Sequence, residues 1–132
     1  MPPGYGHDMR AFTLKSFARW ARKEGLEQAS LWQAIVEIEA GQIDADLGGH
    51  VIKKRVPKAG EGKSGGWRTL LAYRSGDRAF FVYGFAKSDR GNINDAELKA
   101  LKEYAKELLA YTEDQISKAL KAGQLNEVKG DE

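Results

Sequence analysis

The 132 residues carry 21 Lys or Arg against 19 Asp or Glu, a net charge of +2, with 42% hydrophobic residues and no cysteine. That length holds one ordinary hydrophobic core and not two. The missing thiols exclude a disulfide framework, a thiolate metal site and a Cys nucleophile, and suit a reducing cytoplasm.

Residues 1–8, rich in Gly and Pro, match neither the helical nor the strand period, which marks them as a disordered leader or tag remnant with Met9 as the candidate natural start. Over residues 13–24 the apolar positions Leu14, Phe17, Ala18 and Ala21 recur at helical spacing, and Gly25 follows as a stop. A second helix from Glu27 carries Leu31, Ala34, Ile35 and Ile38 to a stop at Gly41, giving a helical hairpin. The turn formers of IDADLGG then lead into three strands at 51–56, 67–74 and 78–86, rich in β-branched and aromatic residues. Ser75-Gly76-Asp77 reads as a tight hairpin, and PKAGEGKSGG as a long, mobile, basic loop. Asn94 or Asp95 caps a helix with an apolar stripe through Leu98, Leu101, Ala105, Leu108 and Leu109, and Thr112 caps a shorter one. Residues 126–132 are polar and expected to fray. The expected fold is α+β: one domain over 9–125, with a small antiparallel sheet of three to four strands packed against an N-terminal helical hairpin and C-terminal helices.

Charge is distributed unevenly along this order. Residues 50–90 hold ten Lys or Arg against three acids, a local surplus of +7, while both flanks are mildly acidic. The surplus coincides with the strands, so it is displayed on an ordered surface and points to a phosphate-bearing partner. Strand alternation puts Lys53 and Arg55 on one face and Ile52, Lys54 and Val56 on the other, and a hairpin would bring Arg68 to the doubly cationic face. Any one of these cations alone is ordinarily a solvated residue, and the strand aromatics are ordinarily core. His50 at the head of the first strand has no partner for acid–base work, since His7 lies in the leader, and no metal-ligand spacing occurs. GEGKSGG lacks the spacing and the strand-to-helix context of a phosphate loop.

Two N-terminal helices, Lys-Lys-Arg on a strand, the turn Gly65-Gly66-Trp67-Arg68, the run FFVYGFAKSDR and a C-terminal helix together resemble the RelE/HigB-type toxins of bacterial type II toxin–antitoxin modules. The likeness runs over about residues 9–125 and is closest to the HigB-like branch. It implies a ribosome-dependent mRNA endoribonuclease that inhibits translation and is held inactive by a cognate antitoxin; the cleavage chemistry requires no metal or cofactor, no segment approaches the roughly 18 apolar residues of a membrane span, so no membrane partner is expected, and the free chain is expected to be a monomer. The catalytic set it implies is Lys53, Arg55, Arg68 and, after the last strand, Lys87 or Arg90. His50, Lys54, Lys63, Trp67, Arg74 and Arg90 are the candidate RNA contacts. The tyrosine that such enzymes carry beyond the last strand is replaced here by GNIND, and Tyr83 is the nearest strand tyrosine.

Cleavage by a 2′-hydroxyl on the adjacent phosphate needs a proton acceptor, a dianionic transition state held by cations, and a proton for the leaving 5′-oxygen. Arg55 and Arg68 suit the second role because a guanidinium offers a planar fork to two phosphate oxygens. Lys53 is the candidate base or acid. Two other readings fit the same sheet: a non-catalytic RNA- or ribosome-binding module, and a gyrase-targeting toxin of the same superfamily.

Overall fold

The computed structural model describes residues 9–58, 65–86 and 93–130. The chain opens with a strand, β1 (Arg10–Leu14), before helices α1 (Lys15–Glu24) and α2 (Gln28–Glu39). Two strands, β2 (Ala45–Gly48) and β3 (Val51–Val56), form a hairpin, followed by β4 (Trp67–Arg74) and β5 (Arg78–Ala86). Helices α3 (Asp95–Leu109) and α4 (Glu113–Lys121) and a last strand β6 (Leu125–Val128) complete the order. The strands form one six-stranded sheet in the order β2-β3-β4-β5-β1-β6, antiparallel except where β1 runs parallel to β5.

The fold is therefore α+β as expected, with more strands than the three to four read from the sequence. Thr13 and Leu14 belong to β1, not to a helix, and α1 starts directly after the strand with no side-chain cap. β1 is flanked by β5 and β6 and is buried on both faces, so its residues do not alternate and the apolar spacing mimics the start of a helix. β2 is a short edge strand built from residues that strands usually disfavour. Asn126, Glu127 and Val128, from the tail expected to fray, form β6 with Leu125 and pair with β1 in the register Leu14↔Leu125 to Ala11↔Val128. Asn94 and Thr112 each start their helix with a full capping box, to Glu97 and Gln115 respectively.

Adjacent residues of a strand point to opposite faces, and Phe80 and Phe81 show what covers each one. The Phe81 ring lies 5.2 Å from that of Phe17 in α1, whereas Phe80 stacks on Phe12 at 5.2 Å and meets Tyr111, beyond α3, edge-on at 6.5 Å. Helices α1 and α2 thus cover one face, and the α3–α4 corner covers part of the other. That corner is bolted down by Arg78, a buried residue that donates to the Tyr111 carbonyl and pairs with Glu113 at 2.9 Å. Arg10 joins the same group, forking onto Glu127 at 3.0 and 3.1 Å and reaching Glu113 at 2.8 Å. The hydrogen bond to Glu127 is the main reason that Arg10 holds its proton even more tightly than usual. Among the described residues no helix is long and apolar enough to cross a membrane.

Candidate active site

β3 and β4 pair so that Lys53 faces Leu70 and Arg55 faces Arg68; β4 and β5 continue the rows to Tyr83 and Phe85. Cross-strand partners share a face, so Lys53, Arg55, Arg68 and Tyr83 stand together on one side of the sheet. A register shift between Leu70 and Leu71 inserts an extra residue in β5 at Val82, a bulge that re-aims the side chains around Tyr83.

The local sequence explains how Arg68 is held. A Cβ on Gly66 would stand 2.1 Å from the Val56 carbonyl oxygen, so only glycine lets the returning chain lie this close to the end of β3. Trp67 follows with its ring buried and its indole N–H donated to Glu24 in α1 at 3.1 Å. Alternation then turns Arg68 to the opposite face, beside Arg55.

Two guanidinium groups brought together in this way repel, and among the described residues the one carboxylate paired with either is Asp44, at the outer limit of an ion pair. Asp44 accepts from the Arg55 backbone N–H at 2.7 Å but stands 3.9 Å from its guanidinium Nε. The Arg55 Nε and the Arg68 Nη1 are both shielded from solvent with no hydrogen-bond partner among the described residues. Buried donors without acceptors are costly, and an oxyanion bridging them supplies what both lack.

The remaining expected site residues lie elsewhere. Lys54 is on the other face, as its parity with Ile52 and Val56 requires, and is 2% exposed. Its ammonium pairs with Glu37 and donates to the Gln42 carbonyl, both at 2.7 Å. It is a core residue that fastens α2 to β3, and no RNA reaches it there. Trp67 is likewise buried, with the Lys58 ammonium over its ring at 5.3 Å. His50 is not the first residue of a strand but the second of the two-residue β2–β3 turn; it and Gly49 both have positive φ, the backbone that a tight hairpin of this length demands. It lies five residues along from Arg55, roughly 16 Å at the rise of a strand. Arg74 closes the β4–β5 turn with Asp77 at 2.8 Å, six residues from Arg68 or about 20 Å away. Lys63, Lys87 and Arg90 lie outside the described residues.

One feature beside the site was not foreseen. A groove of about 510 Å³ opens from Tyr83 between α1, β5, α3 and α4, and Tyr104, Tyr111, Lys15 and Arg19 line it. The signal was present in the sequence as an aromatic residue, Tyr104, at the margin of the α3 apolar stripe rather than within it.

The family model of the RelE toxin of RelE/RelB toxin–antitoxin systems matches residues 9–128. No curated protein matches the chain.

Proposed function

This chain belongs to the RelE family of toxins of toxin–antitoxin systems, and from that premise we propose that it is an endoribonuclease that cuts messenger RNA presented by the ribosome. The observation that carries the proposal is the opposed pair Arg55 and Arg68, in register on neighbouring strands, each with a buried guanidinium nitrogen that has no acceptor among the described residues. A phosphodiester placed between them satisfies both donors, and the demand grows as the pentavalent transition state gains charge.

In the proposed reaction the 2′-hydroxyl loses its proton to a base, the 2′-oxygen bonds to phosphorus, and the bond from phosphorus to the 5′-oxygen breaks, leaving a 2′,3′-cyclic phosphate. The departing 5′-oxygen takes a proton. Lys53, on the same face as the arginines, is the residue we assign to proton transfer, and Lys87, one residue beyond β5, the fourth member of the set. The chain supplies charge and fixed orientation, while the ribosome supplies the conformation of the message. A cognate antitoxin is the partner that RelE toxins have, and silencing of this chain by one follows from the family.

Mapping of mRNA 5′ ends after brief induction tests the proposal. The wild type should create new ends within translated messages, and Arg68→Ala should create none while remaining folded. Equal cleavage by a folded Arg68→Ala variant sinks the assignment; intact messages with salt-dependent RNA binding indicate a binding module instead.

A further inference from the structure

Three large apolar side chains are exposed among the described residues: Val36 at 46%, Tyr83 at 49% and Tyr104 at 38%. Two of the three line the same groove, which is therefore the place where the fold leaves aromatic surface open to solvent. Its charged lining residues are Lys15 and Arg19, at the start of α1, with no carboxylate among them. Leu108 contributes apolar lining. Open aromatic rings beside cations are what a protein offers to unpaired nucleotides, because every base has a face to stack and every nucleotide carries a phosphate.

The groove also begins where the candidate active site ends. Tyr83 stands in the row Lys53, Leu70, Tyr83, two strand spacings or roughly 10 Å from Lys53. A strand of RNA with its reacting phosphate at Arg55 and Arg68 meets Tyr83 on the same face of the sheet, and through it the groove on the β5 side. We propose that this groove is a base-stacking subsite for nucleotides flanking the scissile phosphate, with Tyr83 and Tyr104 as the ring platforms and Lys15 and Arg19 as phosphate contacts. The proposal rests on the endoribonuclease reading and adds to it where the neighbouring bases go. It also gives Tyr83 a positioning role through its ring rather than a proton-transfer role through its hydroxyl.

The experiment uses ribosomes programmed with a message whose cleaved nucleotide is 2′-deoxy and whose neighbours carry 4-thiouridine, together with a cleavable version for kinetics. Irradiation should crosslink the wild-type toxin within peptides containing Tyr83 or Tyr104. Tyr104→Ala should lose that crosslink and raise KM roughly tenfold, the scale of one stacked base, whereas Tyr104→Trp and Tyr83→Phe should keep both. If Tyr83→Ala and Tyr104→Ala crosslink and cleave like the wild type while Arg68→Ala is inactive, the subsite is refuted and the endoribonuclease reading stands. If Tyr104→Ala releases the antitoxin with cleavage and crosslinks unchanged, the groove seats the antitoxin and the subsite is again refuted. The crosslink reads occupancy without cleavage, so it decides the subsite even if the assignment of Arg68 fails.

Discussion

Arg55 and Arg68 stand directly opposite each other on β3 and β4, a like-charged cross-strand pair at a position where sheets favour opposite charges. Such a pair opposes folding, and in the proposed function it serves an anion. Arg68→Ala should therefore lower the cleavage rate by about 10²–10³, the usual effect of removing one donor to a developing oxyanion. The same change should leave the thermal midpoint unchanged or slightly higher, by on the order of 0.5 kcal/mol of relieved repulsion. Message-cleavage assays and calorimetry on one preparation check both halves. A variant that is both inactive and clearly destabilised would mean that Arg68 serves the fold.

Lys54 should behave in the opposite way. Its ammonium is buried against Glu37 and the Gln42 carbonyl, and removing one member of a buried pair costs about 3–5 kcal/mol because the other loses its buried counter-charge. Lys54→Ala should unfold at much lower denaturant concentration, and the paired change Lys54→Met with Glu37→Leu should recover most of the loss. Cleavage per folded molecule should hardly move in the paired variant. Chemical denaturation measured beside activity separates this from a role in RNA contact.

Gly84 lies in β5 beneath the indole of Trp20, where an added Cβ would come within 2.2 Å of the ring. Gly84→Ala should cost about 1–3 kcal/mol through overpacking. In a Trp20→Leu background the same substitution should cost much less, because the two residues share one contact. A double-mutant cycle by urea unfolding measures the coupling; strict additivity would show that the strand shifts to absorb the methyl group.

Tyr73 and Tyr104 should be the late-ionising phenols. Burial raises Tyr73 above the ordinary value of 10.0, helped by its hydrogen bond to Glu39, and burial raises Tyr104, helped by Tyr111 and Glu107. A folded-state value above the unfolded one means that the native protein holds the proton longer. The associated stability is complete below pH 10.0 and is lost as the pH climbs through the raised values. In a spectrophotometric alkaline titration, Tyr73→Phe and Tyr104→Phe should each remove amplitude from the upper end of the curve. Loss of amplitude from its lower end instead would contradict the burial that raises them.

The centre of the chain was legible because both periods act there without conflict. Lys53 and Arg55 alternate cleanly against Ile52, Lys54 and Val56, and the register then brought Arg68 to the expected face. Lys54 shows where charge misleads: its parity already placed it with apolar neighbours, and the facing Glu37 on α2 together with the Gln42 carbonyl explains how a cation is tolerated there. β1 was hidden because a strand buried on both faces has no alternation to read, and Leu14 fits either period. β6 was hidden because LNEV is short and polar, and becomes a strand only when β1 offers it a register. The tyrosine groove depends on how α3 and α4 turn over the sheet at Arg78, a long-range relationship with no local signature.

The pairing of β1 with β6 makes the order of synthesis matter. β1, made before the other described strands, lies between β5, made 68 residues later by the pairing Arg10↔Arg78, and β6, whose Val128 partners Ala11. Such distant pairings are slow to form and cannot begin before their later partner has been translated. A nascent chain stopped anywhere before Leu125 has a solvent-facing edge on β1 and lacks Glu127, the carboxylate that grips Arg10. The sheet of this toxin therefore becomes whole only after β6 has been made.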